Sequence, residues 1–266
     1  MATRVDAVLS KEEKMTDLNG KVVLVTGSSR GIGAEIAVAF ARQGAKVVLH
    51  GRDTEALAKV QADITNGGGQ AMFVTGDVTK FADIEAIRAR VEETYGLVDV
   101  LVACAGGSGS RPGPIEDIGE ESWRADLDAN LTATFLTIKS FLPGMKRRGS
   151  GSIITMSSAA GRRASARTLV AYGAAKAGVQ LLTQDLAAQV GAHGIRANCI
   201  APETILTEKN KASIPEQQQQ ELVQSHPLRR LGTPQDVARA AVYLASDQAS
   251  WITGVVLDIS GGAVMV

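Results

Sequence analysis

Cysteine is nearly absent from this 266-residue chain. Cys104 and Cys199 are too few for a disulfide framework and offer no metal-ligand spacing. Each sits in an apolar run that reads as a strand, so both are expected to be reduced core thiols. Net charge is missing as well. Lys plus Arg and Asp plus Glu each total 28, so no overall field draws the chain to nucleic acid or to an anionic membrane surface. Neither is expected as a partner; a small molecule fits the balance better. The charged stretch Met1 to Asn19 lacks the apolar segment of a signal peptide, and no run is long enough for a membrane helix, so a cytoplasmic location is expected. Repeats, low-complexity tracts and interdomain linkers are lacking too. His50 and His226 have no spacing that suggests a metal site, and none is expected.

Apolar residues are plentiful, at 45%, enough to bury one sizeable core. Residues 18–266 are expected to form one catalytic domain and 1–17 an extension. Residues 1–14 look dispensable, because Met15-Thr-Asp-Leu-Asn-Gly20 reads as a lead-in to the first strand. Seven β-branched runs read as buried strands: Val22-Leu24, Lys46-Leu49, Ala71-Val74, Val98-Val102, Ser152-Met156, Ile195-Ile200 and Val255-Ile259. Helical patterns alternate with them at about 31–43, 54–66, 80–95, 121–147, 170–191 and 234–246. This alternation predicts an α/β fold: a doubly wound, Rossmann-type parallel sheet of seven strands with helices on both faces, a three-layer sandwich. The one irregular stretch, about 203–227, reads as an insertion that covers a site.

The first strand runs into Thr26-Gly-Ser-Ser-Arg-Gly-Ile-Gly33 and then a helix. Glycines allow the turn and a close ligand approach, and backbone N–H groups at the helix start can hold a pyrophosphate. No Lys-Ser/Thr pair follows, so a P-loop is excluded. An NAD site would place a carboxylate at the end of the second strand, on the ribose 2′-hydroxyl. This chain has Gly51 and then Arg52 there. Arg52 with Arg30 could bind a 2′-phosphate through charge-assisted hydrogen bonds, which predicts NADP(H) as the cofactor.

Tyr172-Gly-Ala-Ala-Lys176 places an aromatic hydroxyl and an ammonium one helical turn apart. Alone this spacing is common. Upstream lie a strand ending in Ser157-Ser158 and the segment Asp128-Ala-Asn-Leu-Thr132. With these motifs in this order, the chain resembles the short-chain dehydrogenase/reductase family, in its single-domain branch, from Leu18 to Gly262. The resemblance includes Asp77-Val78 after the third strand and the late segment Pro227-Leu-Arg-Arg-Leu-Gly-Thr-Pro-Gln-Asp-Val.

The resemblance implies a catalytic tetrad of Asn130, Ser158, Tyr172 and Lys176. Ser158 would hydrogen-bond the substrate carbonyl, Tyr172 would donate the proton, and Asn130 would hold a water in a relay through Lys176. It also implies a cofactor site built from Gly27, Ser29, Arg30, Gly31, Ile32, Gly33, Arg52, Asp77, Val78, Ala105, Gly106, Tyr172, Lys176, Pro202, Ile205 and Thr207. An ammonium beside a tyrosine stabilises the phenolate, so the Tyr172 pKa is expected to fall below its ordinary value of about 10.

The chain also departs from the family pattern. Ala103-Cys104-Ala105-Gly106 replaces a more usual Asn-Asn-Ala-Gly, removing two amides. Glu203 follows Pro202 where glycine is usual, which questions the backbone there. The spacing from Ser158 to Tyr172 is one longer than the pattern favours, so Ser157 stays a second candidate.

Within the family the chain looks most like 3-oxoacyl-acyl-carrier-protein reductases. The expected activity is NADPH-dependent reduction of a small carbonyl compound, a 3-oxoacyl thioester or related ketone, to a secondary alcohol. A sugar or polyol dehydrogenase working oxidatively is the alternative, and a non-catalytic dinucleotide-binding regulator a third reading. Lys146-Arg147-Arg148 with Arg162, Arg163 and Arg167 could attract an acyl carrier protein, although basic residues at a helix C-terminus also complement its dipole. The family implies a homotetramer.

Overall fold

The computed structural model describes residues 18–109, 112–164 and 169–266. In chain order the elements are β1 (Val22–Thr26), α1 (Gly31–Arg42), β2 (Lys46–Gly51), α2 (Thr54–Asn66), β3 (Gln70–Thr75), α3 (Phe81–Tyr95), β4 (Val100–Ala103), α4 (Glu120–Leu127) and α5 (Ala133–Arg148). There follow β5 (Gly151–Met156), α6 (Val170–Val190), β6 (Ile195–Pro202), α7 (Glu208–Ser213), α8 (Glu216–Ser225), α9 (Pro234–Ala245) and β7 (Val256–Ile259). The expected extension 1–17 and Arg167 lie outside the described residues.

The strands form one parallel sheet in the order β3-β2-β1-β4-β5-β6-β7. Both faces are covered, so both sets of alternating strand side chains are apolar. On β1, Val23 and Val25 join the core under α1, α2 and α9 with Ile36, Phe40, Leu57 and Val237. Val22 and Leu24 point the other way, to the core under α3, α5 and α6 with Ile84, Phe141, Met145 and Val190. The order reverses between β1 and β4, so the loops after these strands diverge and open a crevice at the carboxyl ends of the strands.

Two stretches differ from the sequence reading. The pattern at 121–147 is helical, but α4 and α5 are separated by a π-helical turn at Asp128–Thr132. Apolar periodicity does not register this one-residue expansion. The stretch 203–227, read as irregular, folds mostly into α7 and α8. Thr207 caps α7 by accepting a hydrogen bond from the Asn210 N–H at 3.2 Å, and the glutamine run is compatible with helix despite its polarity. Gly232 pairs with Ile205 at the base of this flap, where the Leu206 N–H donates to the Gly232 carbonyl at 2.8 Å.

Candidate active site

A cleft of about 1350 Å³ runs along the carboxyl edge of the sheet, from the β1–α1 turn past β4 and β5 to the flap. Its first wall is made of backbone. Gly27 has φ +69°, and a Cβ there would come within 2.8 Å of the Ala105 Cα. A Cβ on Gly33 would lie 2.3 Å from the Gly27 carbonyl oxygen. These two glycines are therefore required by close approach, whatever binds. Arg30 precedes α1 without a side-chain cap, and the first turn of α1 carries no acidic residue. Amides at that terminus are left for an external anion, which is how a pyrophosphate fits this wall. Ser29, Arg30 and Ile32 line the cleft with Gly27 and Gly33; Gly31 does not, and stands with φ +59° facing Thr207 of the flap.

The fourth strand's loop is pinned to the first by a residue not singled out from the sequence. Thr26 Oγ1 accepts from the N–H groups of Cys104 and Ala105, each at 3.0 Å. Ala105 and Gly106 are thereby set into the cleft floor, despite the two missing amides. Cys199 is buried in β6, whereas Cys104 lies just past β4 and is half-buried, not the core strand residue expected; burial pushes its thiol up to about 11. Asp77 and Val78 line the same end. Asp77 Oδ1 accepts from the N–H and hydroxyl of Thr79, which hold its carboxyl below the usual range.

The adenosine end contains a carboxylate that the strand-end test passed over. Asp53, two positions beyond Gly51, caps α2 through the Ala56 N–H at 3.0 Å and also pairs with Arg30. Both line the cleft, as does Arg52, which makes no ion pair or hydrogen bond among the described residues. His50 is buried beside them. Its Nε2 lies 3.2 Å from the Gly76 carbonyl, its Nδ1 has no partner among the described residues, and burial lowers its pKa.

At the other end of the cleft, β5 and α6 bring together Ser158, Tyr172 and Lys176. The Tyr172 hydroxyl lies close enough to Ser158 for the serine to act on its pKa. The two serines are distinguished by their surroundings. Ser157 is buried, donates to the Lys176 carbonyl at 2.8 Å and accepts from Gln180 Nε2 at 2.8 Å, so its hydroxyl is occupied in fixing α6. Lys176 is buried and donates from Nζ to the Met156 carbonyl at 2.8 Å, with Nζ 5.5 Å from the Tyr172 ring centre. Burial lowers Lys176 to about 8.

The expected lowering of Tyr172 is not what this geometry gives. Burial raises its pKa, and Ser158 opposes that only in part. The ammonium that was to stabilise a phenolate is itself desolvated and spends a hydrogen bond on Met156. Asn130, in the π turn, does not line the cleft. Its amide accepts from the Gly107 N–H at 3.0 Å and donates to the carbonyls of Gly107 and Asp126 at 2.9 and 2.8 Å, clamping the loop after β4.

The flap closes the far side. Pro202, Ile205 and Thr207 line the cleft with Glu203, Lys209 and Asn210. Glu203 is not in the left-handed region, where Arg229 is the one described non-glycine residue, so this turn does not need the usual glycine. Of the basic residues near the cleft, Arg162 is committed to Asp258 through two 2.9 Å bonds, whereas Arg163 lines the cleft. Arg148 is elsewhere. It caps the carbonyls of Leu97 and Val98 ahead of β4, at the opposite edge of the sheet. Among the described residues no His, Cys, Asp or Glu cluster could hold a metal, and no helix is long and apolar enough to cross a membrane.

Comparison with known proteins agrees with this architecture. A family profile described as enoyl-(acyl carrier protein) reductase matches residues 27–264. The chain is 39% identical over 251 residues to a 3-oxoacyl-[acyl-carrier-protein] reductase of Vibrio cholerae, covering 94% of this chain and 100% of that one. It is 36% identical over 248 residues to glucose 1-dehydrogenase 2 of Bacillus subtilis, covering 92% and 95%. A solved 7α-hydroxysteroid dehydrogenase, complexed with NADH and 7-oxo glycochenodeoxycholic acid, superposes with a TM-score of 0.90 at 36% identity, covering 96% and 98%. With its seven-stranded doubly wound sheet and its cleft at the switch point, the chain belongs to the short-chain dehydrogenase/reductase family, as a nicotinamide-dinucleotide oxidoreductase that interconverts hydroxyl and carbonyl groups.

Proposed function

We propose that this chain reduces a small ketone to a secondary alcohol with NADPH, with Tyr172 as proton donor. The observation that carries this reading is that Tyr172, Ser158 and the buried Lys176 line one cleft together. The dinucleotide, when bound, supplies the hydride to the carbonyl carbon. Ser158 and Tyr172 both address the carbonyl oxygen, one by hydrogen bond and the other by giving up its proton. Burial keeps Tyr172 protonated at neutral pH, so the proton it would give up is in place. Lys176, with Nζ 5.5 Å from the Tyr172 ring centre, is the cation beside the phenolate that would be left on Tyr172. Asn130 serves by holding Gly107, so that the loop after β4 keeps its shape around the reacting groups.

The preference for NADPH rests on Gly51, which brings no carboxylate to the end of β2, and on Arg52, which makes no ion pair among the described residues although Asp77 lies within its electrostatic reach. Asp53 acts on the other side of the balance. It holds Arg30, so Arg52 is the cation left to meet a 2′-phosphate. Following coenzyme oxidation at 340 nm with both coenzymes tests this directly. NADPH should be preferred, and Arg52→Ala should cut that preference by ~10-fold or more, as expected for loss of a charge-assisted contact. A preference for NADH in the unaltered enzyme would overturn it. For the ketone, a 3-oxoacyl thioester is the favoured class, supported by the 39% identity to the Vibrio cholerae reductase. The assay panel accordingly sets carrier-linked and simple 3-oxoacyl compounds against steroid and sugar substrates.

A further inference from the structure

Glu203 departs from the glycine that the family pattern favours after β6, and the structure gives it a partner 23 residues away. Its Oε2 lies 2.6 Å from His226 Nε2, and Thr204 Oγ1 donates to its Oε1 at 3.0 Å. His226 is 2% exposed, and its other ring nitrogen, Nδ1, lies 2.6 Å from the Leu222 carbonyl oxygen in α8. A carbonyl only accepts. Nδ1 therefore donates to the Leu222 carbonyl, and Nε2 shares a hydrogen with the Glu203 carboxyl group. The neighbouring cations do not compete for Glu203: the Arg229 guanidinium donates to the Gln224 carbonyl, and Arg230 is paired with Asp236 at 2.7 Å.

The pair joins three pieces of chain. Glu203 directly follows β6 at the cleft, and its N–H donates to the Ile259 carbonyl of β7 at 3.1 Å. His226 ends α8. Its ring packs against the turn after β7, where a Cβ on Gly261 would sit 3.4 Å from Cδ2 and where the Leu228 N–H donates to the Gly261 carbonyl at 3.1 Å. The Ile205–Gly232 pairing closes the base of the flap, and the Glu203–His226 pair fixes the far end of α8. A glycine at 203 could not do this.

We infer that Glu203 and His226 form a buried clasp that seats the α7–α8 flap, and that Glu203 is thereby a positioning residue for substrate binding, since α7 lines the cleft through Lys209 and Asn210. Removing one partner leaves the other buried without its counterpart, a loss that falls on the closed flap. The kinetic consequence rests on the reaction proposed above; the clasp itself does not.

Amide hydrogen exchange on the full chain tests it, with Glu203→Ala and Glu203→Gln beside the unaltered protein. Glu203→Ala should speed exchange across 208–225 by ~10-fold while β1, β4 and β5 keep their protection, the signature of local opening. KM for the carbonyl substrate should rise by a similar factor with kcat little changed. A glutamine amide can donate to Nε2 of a neutral ring while Nδ1 still donates to Leu222, so Glu203→Gln should retain flap protection. Unchanged exchange in Glu203→Ala, or equal loss in both variants, would overturn the clasp. Failure to find a ketone substrate would count against the proposed reaction and leave the exchange result to decide the clasp.

Discussion

The two ends of the cleft are built from different materials. At the coenzyme end the walls are backbone: Gly27 and Gly33 pack main chain against main chain with no room for a Cβ, and the start of α1 offers amides. At the substrate end the walls include side chains held by other side chains: Ser157 by Gln180 and Glu203 by His226. A backbone wall can serve a ligand that never changes, and its residues lie together in sequence. A wall of long-range pairs can be altered one pair at a time, which suits a family whose relatives act on steroids, sugars and acyl thioesters.

The largest effect expected from this comparison is at the substrate end. Tyr172→Phe keeps the ring over which Lys176 sits but removes the proposed proton donor. We expect kcat to fall by ~10³, within the usual range for loss of a general acid, with coenzyme affinity unchanged by fluorescence titration. Comparable losses of turnover and coenzyme binding would erase the division between the two ends.

At the coenzyme end the matching test is Gly33→Ala. Its Cβ would meet the Gly27 carbonyl at 2.3 Å, and backbone cannot swing aside as a side chain can. Overpacking of this kind costs about 1–3 kcal/mol, so a lowered denaturant midpoint and a raised coenzyme KM should appear together. A variant with native stability and native coenzyme affinity would mean that the loop is not the rigid wall described.

The same division explains what could be read in the sequence. The alternation of strands and helices, the glycine turn, Tyr172 with Lys176 and the Ser157-Ser158 pair all lie in local patterns of period or spacing. Asp53 escaped because a carboxylate was sought at the strand end, where Gly51 stands, and not two residues later. The π turn at Asp128–Thr132 adds one residue to a helical turn without disturbing its composition. The flap looked irregular because its helices are polar and held from outside, by a cap at Thr207 and the contact at His226. The Tyr172 pKa was misjudged because spacing shows a neighbouring charge but not the burial that both groups share.

The smallest expected effect sharpens the comparison at a buried titratable group of the coenzyme end. Burial lowers the His50 pKa in the folded protein, while in the unfolded chain a histidine titrates near 6.5. Below that value the unfolded state takes up a proton that the folded state resists. Stability contributed at this site is therefore fully present above pH of about 6.5 and declines as the pH falls, by at most ~1.4 kcal/mol per pH unit for one proton. Glutamine at position 50 can still donate to the Gly76 carbonyl but cannot titrate. The difference between the unfolding free energies of the two proteins, followed from pH 8 to pH 5, should hold level and then shift in favour of His50→Gln. A difference that stays flat would mean that the His50 ring accepts its proton in the folded state as readily as in the unfolded one. The unpartnered Nδ1 would then be a group that water reaches, and the backbone wall beside it looser than the packing of Gly27 and Gly33 implies.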